Sequence, residues 1–186
     1  MTSAAIRRKI GVLMRLPRKK FALPAAIVAL VVAAILATVF RESYAPRPAP
    51  SVRFQTLKGE SFDLASLRGK VVLVNFWATT CEPCVRELPG IAQAWRRFAP
   101  QGLEVVAVAM SYDPPNRVVE FSEKLALPMK ISLDMAGEIE KQFGGLKFVP
   151  TSFVIDRQGN IVRRIDGEIQ FGPLHSLIEA KLKEPI

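Results

Sequence analysis

The chain has 186 residues, 49% of them hydrophobic and 23% charged, a size that holds one ordinary domain and a further segment. Two cysteines exclude a disulfide-dense scaffold, and with one histidine they are too few for a four-ligand structural zinc site. The formal charge of +9 sits at one end: residues 1–20 hold seven Arg or Lys and no acid, whereas residues 51–186 hold 17 basic against 16 acidic groups. So balanced a remainder argues against nucleic acid as a partner.

The basic residues Arg7, Arg8, Lys9, Arg15, Arg18, Lys19 and Lys20 precede twenty uncharged residues, 21–40, rich in Ala, Val, Ile and Leu. At about 1.5 Å per residue that run spans roughly 30 Å, one bilayer core. It reads as one N-terminal transmembrane helix, with Pro24 tolerated in its first turn and 1–20 as a basic cytoplasmic N-terminus. A cleaved signal peptide competes, but the run is long for one and no clear small-x-small site follows. A buried core helix would show a polar face, and none is present. Pro46, Pro48 and Pro50 make 41–50 an extended linker, which leaves 51–186 as a domain outside the cytoplasmic membrane.

Within that domain a strand is expected at 52–57 and a turn-rich piece at 63–70. Residues 71–77 (VVLVNFW) are apolar at nearly every position, as in a strand covered on both faces. A helix follows over 82–98, where Val85, Leu88, Ile91, Ala92, Trp95 and Phe98 recur at three- and four-residue intervals. Further strands are expected at 104–110 and 130–133, and helices at 116–125 and 138–143. Residues 151–156 and 161–165 read as an antiparallel hairpin joined by the turn Arg157, Gln158, Gly159 and Asn160, and 171–183 closes as a helix. This order defines an α/β fold with a mixed central β-sheet flanked by helices.

Cys81 and Cys84 enclose Glu82 and Pro83 where the buried strand passes into the amphipathic helix. Unpaired N–H groups and the positive end of the helix dipole favour a thiolate at Cys81, which would attack a partner's disulfide. Cys84, three residues on, would resolve the mixed disulfide, and helical rotation places it on the buried Leu88 and Ile91 face. A purely structural disulfide stabilises little across so short a loop. A metal pair lacks further ligands, His175 being distant, and a c-type haem site needs a histidine where Val85 stands. Glu87 borders the apolar face; it is either a partly desolvated carboxylate that exchanges a proton with Cys84 or a solvated helix glutamate.

The stretch VNFWATTCEPC followed by VRELPG, together with VPTSFVID from Val149, resembles the thioredoxin superfamily over about residues 51–183. Within it the chain is similar to the membrane-anchored TlpA-like and ResA-like thiol-disulfide oxidoreductases of bacterial envelopes. The resemblance implies a thioredoxin-like fold, a redox-active Cys81–Cys84 disulfide, no metal or other cofactor, and a cis proline at Pro150 facing the cysteines. It implies that the Val149 backbone pairs with an extended substrate, with Trp77, Glu82, Pro83 and Thr151 alongside. Glu87 matches an acidic position of that group, and Pro89 a helix-kinking proline. Without the resemblance, Pro150 reads equally as a trans proline opening an edge strand. Two positions depart from the pattern: Thr80 stands where many members carry Trp, and Asn75, which exchanges no proton, stands where cytosolic thioredoxins bury an aspartate.

The expected activity is therefore reduction of protein disulfides or cysteine pairs, those of apocytochrome c or a copper-site protein among them. A transmembrane electron donor of the DsbD or CcdA kind is the expected second partner. Two rivals remain: a peroxiredoxin-like thiol peroxidase, suggested by Thr79 and Thr80 beside Cys81 but without a Pro-x-x-x-Thr-x-x-Cys pattern, and a copper-delivery module using both thiolates as soft ligands but without a clearly placed His or Met.

Overall fold

The computed structural model describes residues 47–185 and, ahead of them, residues 27–28 and 30–35. The basic segment 1–20 and much of the expected anchor and linker lie outside the described residues. Residues 27–28 and 30–35 are helical, and Ile27, Val28, Leu30, Val31, Val32 and Ile35 are exposed. Among the described residues no helix is long and apolar enough to cross a membrane.

Pro46–Ile186 form one compact unit. Its elements are β1 (Arg47–Pro48), β2 (Arg53–Gln55), β3 (Ser61–Asp63), β4 (Val71–Trp77), α1 (Glu82–Phe98), β5 (Leu103–Ala109) and α2 (Pro115–Lys124). They continue with β6 (Lys130–Leu133), α3 (Glu138–Gln142), β7 (Thr151–Ile155), β8 (Asn160–Asp166) and α4 (Phe171–Lys183). Six strands form a mixed sheet in the order β1-β8-β7-β4-β5-β6, and β2 and β3 pair separately. The α/β architecture is the expected one.

β4 runs parallel to β5 and antiparallel to β7, so Asn75 lies opposite Ala107 on one side and Ser152 on the other. Val71, Leu73 and Trp77 face the layer built by α1 and α4, while Val72, Val74 and Phe76 face Val52, Phe54, Ile139 and Phe143. With both faces covered, β4 has no solvent side on which a polar residue could alternate, hence its continuous apolar run. Phe76 packs edge-on against Phe143 and Phe153, with ring centroids 5.4 and 6.0 Å apart.

α1 starts with Cys81 as its N-cap and Pro83 in its first turn, and ends with Arg96 and Arg97 in its last turn, charges that suit the helix dipole. Pro89 lies inside the helix and removes one internal hydrogen bond. The next residue, Gly90, leaves room for the Phe171 ring at the start of α4, since a Cβ there would lie 2.3 Å from the ring's Cζ.

Two short strands were not expected. β3 has a single apolar side chain, Phe62, so its three residues carry no alternation to detect; it pairs with β2, Phe62 opposite Phe54. β1 falls at the end of the segment assigned to the linker. Arg47 pairs with Ile161 and Pro48 with Asn160, and Ala49 N–H donates to the Gly159 carbonyl at 2.9 Å. Pro48 is tolerated because β1 is the outermost strand among the described residues, with no further neighbour there awaiting an N–H. The folded unit thus begins ahead of residue 51.

Candidate active site

Trp77 ends β4, and the chain turns at once: Cys81 N–H donates to the Ala78 carbonyl at 3.1 Å, and Val85 N–H to the Cys81 carbonyl at 3.0 Å. Cys81 is thereby held as the extended N-cap residue of α1, and its sulfur accepts the Cys84 N–H at 3.3 Å, satisfying a donor the helix itself cannot pair. A disulfide joins Cys81 to Cys84, with Cα atoms 5.3 Å apart. Cys84 is fully buried against the α1 layer, whereas Cys81 is half-buried.

Thr79 secures the turn from the other side. Its N–H and its hydroxyl donate to Asp113 Oδ2 and Oδ1, each at 2.6 Å, and Asp113 is itself buried on the loop after β5. Sequence reasoning missed Asp113, because an acid ahead of Pro114 and Pro115 reads only as a turn residue.

The Val149–Pro150 peptide is cis and lies beside the disulfide. The Val149 carbonyl oxygen is 3.6 Å from the Cys81 sulfur, a contact that becomes a hydrogen bond only when that sulfur carries a proton. Val149 N–H has no backbone partner among the described residues.

Of the residues expected to touch substrate, Val149 and Pro83 are half-buried and Glu82 is exposed, its carboxylate paired with Arg86 at 2.7 Å. Trp77 and Thr151 are not at the surface. Strand alternation turns Trp77 into the α1 layer, where its ring lies 5.7 Å from that of Phe121. Thr151 is fully buried, paired on both sides within β7, and its hydroxyl donates to the Phe148 carbonyl at 2.9 Å. Neither side chain is available to a partner.

Glu87 is buried more deeply than the border of the helix face implied, with 2% exposure. Its Oε1 accepts from Asn75 Nδ2 at 2.8 Å and its Oε2 from Ile169 N–H at 2.9 Å. Burial pushes its pKa above the ordinary glutamate range, and nearby Glu168 adds to the rise; the hydrogen bonds from Ile169 and Asn75 oppose it. This raised carboxyl group lies one turn from Cys84, and the solvated alternative does not hold.

A pair of sulfurs held this way over a mixed sheet, one shielded and one at the surface, places the chain in the thioredoxin-like class of redox proteins. Within that class the chain belongs to the AhpC/TSA family, whose model matches residues 46–164. The thiol-disulfide oxidoreductase ResA of Bacillus thuringiensis subsp. konkukian is 32% identical over 122 residues, covering 66% of this chain and 69% of the relative. The ResA of Halalkalibacterium halodurans is 31% identical over 153 residues, 78% and 86% of the two chains. Among solved structures, a thioredoxin-family thiol:disulfide interchange protein from Chlorobium tepidum TLS superposes with a TM-score of 0.68 at 32% identity, covering 74% of this chain and 97% of its own. StoA from Bacillus subtilis gives 0.60 at 26% identity, covering 70% and 98%. The chain is accordingly an enzyme of thiol-disulfide exchange of the ResA type.

The raised pKa of Glu87 has a stability consequence of definite sign. A carboxyl group whose folded value exceeds its unfolded value, about 4.3, contributes fully below that value and loses the contribution as pH rises through the folded one. In urea unfolding of the disulfide form, wild-type stability minus that of Glu87→Gln should fall from about pH 4 upward. It should level off once Glu87 is ionised in the folded protein. A difference independent of pH would mean that Glu87 does not titrate above its ordinary range.

Proposed function

We propose that the chain is a disulfide reductase for protein cysteine pairs, anchored in the bacterial cytoplasmic membrane through 21–40 with its domain on the outer, periplasmic side. The observation that carries the reaction is the unequal exposure of the two sulfurs, Cys81 beside a Val149 whose N–H has no backbone partner among the described residues, and Cys84 buried one turn before Glu87. In the dithiol form the Cys84 N–H and the helix dipole stabilise a Cys81 thiolate. An extended substrate segment lies against Val149, next to Pro150, with Glu82 and Pro83 at the rim. Cys81 attacks one substrate sulfur, the substrate's S–S bond breaks, and the other sulfur leaves as a thiolate that takes a proton from water. The Cys84 proton then passes to Glu87, the Cys84 sulfur attacks Cys81, and the second substrate sulfur leaves. Two electrons have moved to the substrate, and the enzyme is left as the disulfide.

Turnover in an oxidising compartment needs two electrons from the cytoplasmic side, which makes a transmembrane donor of the DsbD or CcdA kind the second partner. The cysteine pairs of apocytochrome c and of copper-site proteins are fitting substrates, because each must be reduced before it takes up its cargo. The seven basic residues ahead of the uncharged run support the orientation, and the exposed apolar side chains at 27–28 and 30–35 are compatible with a lipid surrounding. The peroxidase rival is weakened because the Thr79 hydroxyl is committed to Asp113. For copper delivery, no group of three or more His, Cys, Asp or Glu among the described residues is placed to hold a metal ion.

Direction is read from the equilibrium potential of the Cys81/Cys84 couple. A reductase should lie near the thioredoxin figure of about −270 mV, and a value near the DsbA figure of about −120 mV would make the enzyme an oxidant.

The order of attack is read by trapping. Cys84→Ser should accumulate mixed disulfides on Cys81, seen as higher-mass species on non-reducing electrophoresis that collapse with reductant, and Cys81→Ser should not. The opposite pattern would reverse the two roles.

For topology, alkaline phosphatase fused to the carboxyl end should be active and remain with the membrane fraction. A soluble active fusion would mean cleavage of the N-terminal segment, and an inactive one the inverse orientation.

A further inference from the structure

Three polar side chains share an otherwise apolar layer between α1 and the sheet: Glu87 from α1, Asn75 from β4 and Ser152 from β7, the last two fully buried. Asn75 and Ser152 are cross-strand neighbours. Asn75 Nδ2 donates to Glu87 Oε1 at 2.8 Å and to Ser152 Oγ at 2.9 Å, and Ile169 N–H donates to Glu87 Oε2. Every contact with the carboxyl group is therefore made by a donor, an arrangement matched to its ionised form. Two hydrogen-bonding capacities are unspent. Asn75 Oδ1 is buried without a partner, and the Ser152 hydroxyl proton has no acceptor among the described residues. A carboxyl O–H at Oε1 would meet the Asn75 amide donor against donor, the mismatch that buried polar groups avoid.

We infer that Asn75 and Ser152 form a reversible amide switch that follows the protonation state of Glu87. With the carboxylate ionised, Nδ2 donates to Glu87 and to Ser152. With the carboxyl protonated, Asn75 turns over about its Cβ–Cγ bond, and Oδ1 accepts both the carboxyl O–H and the Ser152 O–H. Amide oxygen and nitrogen are close in size and oppositely placed, so the turn asks for no extra room. Either setting satisfies both bonds between the three side chains and leaves one amide atom without a partner, the oxygen in the first and the NH2 group in the second.

The switch rests on the reading of Glu87 as the proton acceptor for Cys84 and deepens it. In the resolving step the proton leaves the Cys84 sulfur for Glu87 as the Cys84–Cys81 bond forms and the substrate sulfur departs with the electron pair of the broken bond. Asn75 carries neither proton nor electron; it is a positioning residue that removes the mismatch a protonated Glu87 would otherwise meet. The charged group acting on Glu87 is Glu168 on the loop before α4, whose charge Arg86 pairs at 3.3 Å, and Cys84 lies one turn earlier on its own helix. From β4 it meets Asn75, which in turn bonds Ser152 of β7, and neither of these titrates.

The chain holds three asparagines, Asn75, Asn116 and Asn160, so asparagine-selective 15N labelling of the full chain yields three side-chain amide pairs. The pair lost in Asn75→Leu is that of Asn75, and the Glu87 titration is followed by its carboxyl 13C resonance, in both disulfide and dithiol forms. Both Asn75 amide protons should lie downfield while Glu87 is ionised and move upfield, with the Glu87 midpoint, as it protonates. In Glu87→Gln the side-chain amide donates to Asn75 Oδ1 while its oxygen accepts from Ile169, so the pair should stay upfield at every pH. If the wild-type protons remain downfield through the Glu87 titration, or if Glu87→Gln leaves them downfield, Asn75 is a fixed donor and the switch is overturned. Insulin reduction by the same samples reads the exchange reaction alone. An inactive wild-type chain whose Asn75 pair still follows Glu87 would sink the reductase reading and leave the switch standing.

Discussion

β4 is confined on four sides, by the ladders of β5 and β7 at its edges and by apolar layers on both faces, and none of its residues is more than 2% exposed. A strand so enclosed cannot shift along its axis without breaking two registers at once. Its carboxyl end is therefore a fixed point, and the reactive turn begins there. Three residues separate Trp77 from Cys81, and the first of them supplies the carbonyl that Cys81 N–H meets. Asp113, on the loop that follows the neighbouring strand, adds two hydrogen bonds to the second, Thr79. The sulfur is thus positioned from β4 and from β5 together, and a substrate meets a site whose geometry is set beforehand.

An apolar centre of this kind makes each enclosed polar group costly unless its hydrogen bonds are met. The two buried acids near the site meet theirs differently. Both oxygens of Asp113 accept from one residue, so its effect is local and holds the backbone of the turn. The oxygens of Glu87 accept from different elements, the Asn75 side chain on β4 and the Ile169 backbone ahead of α4. Two residues before Ile169, Gly167 donates its N–H to the Pro150 carbonyl at 2.9 Å. One carboxyl group therefore connects the cysteine helix, the central strand and the segment that supports the cis proline. Desolvation of Glu87 is only partly offset by these bonds, which is why its pKa rises.

What the sequence reveals of this fold follows the strength of its periodicities. β4, α1, β6 and α4 are legible to the residue, since each is a run of one clear pattern bounded by turn or capping residues. β1 and β3 are too short to carry a period, and their pairing depends on strands distant in sequence. Within the site, helical rotation alone separates buried Cys84 from accessible Cys81. Trp77 and Thr151 illustrate the opposite case: nearness in sequence to a reactive residue says nothing of direction, whereas alternation along β4 turns Leu73, Asn75 and Trp77 to one layer. Asp113 meets Thr79 across 34 residues, a contact no local pattern encodes. Ser152 is different, because a polar residue inside an apolar strand, once that strand is set against β4, falls directly opposite Asn75.

The burial of Cys84 also determines how an exchange reaction at this site must end. On the proposed mechanism a mixed disulfide at Cys81 is cleaved from inside, because Cys84 lies three residues away and the disulfide already demonstrates that the sulfurs meet. A fully buried thiol is withdrawn from bulk solvent, and a protonated thiol is a poor nucleophile. On that proposal the base belongs to the protein, and Glu87 is the buried carboxyl group that α1 supplies. A glutamate on the outer face of α1 would be easier to accommodate but would lie away from the buried face that holds Cys84. The depth of Glu87 and the depth of Cys84 are in this sense one requirement, and the donors that Asn75 and Ile169 aim at the carboxylate keep it able to act as a base at that depth.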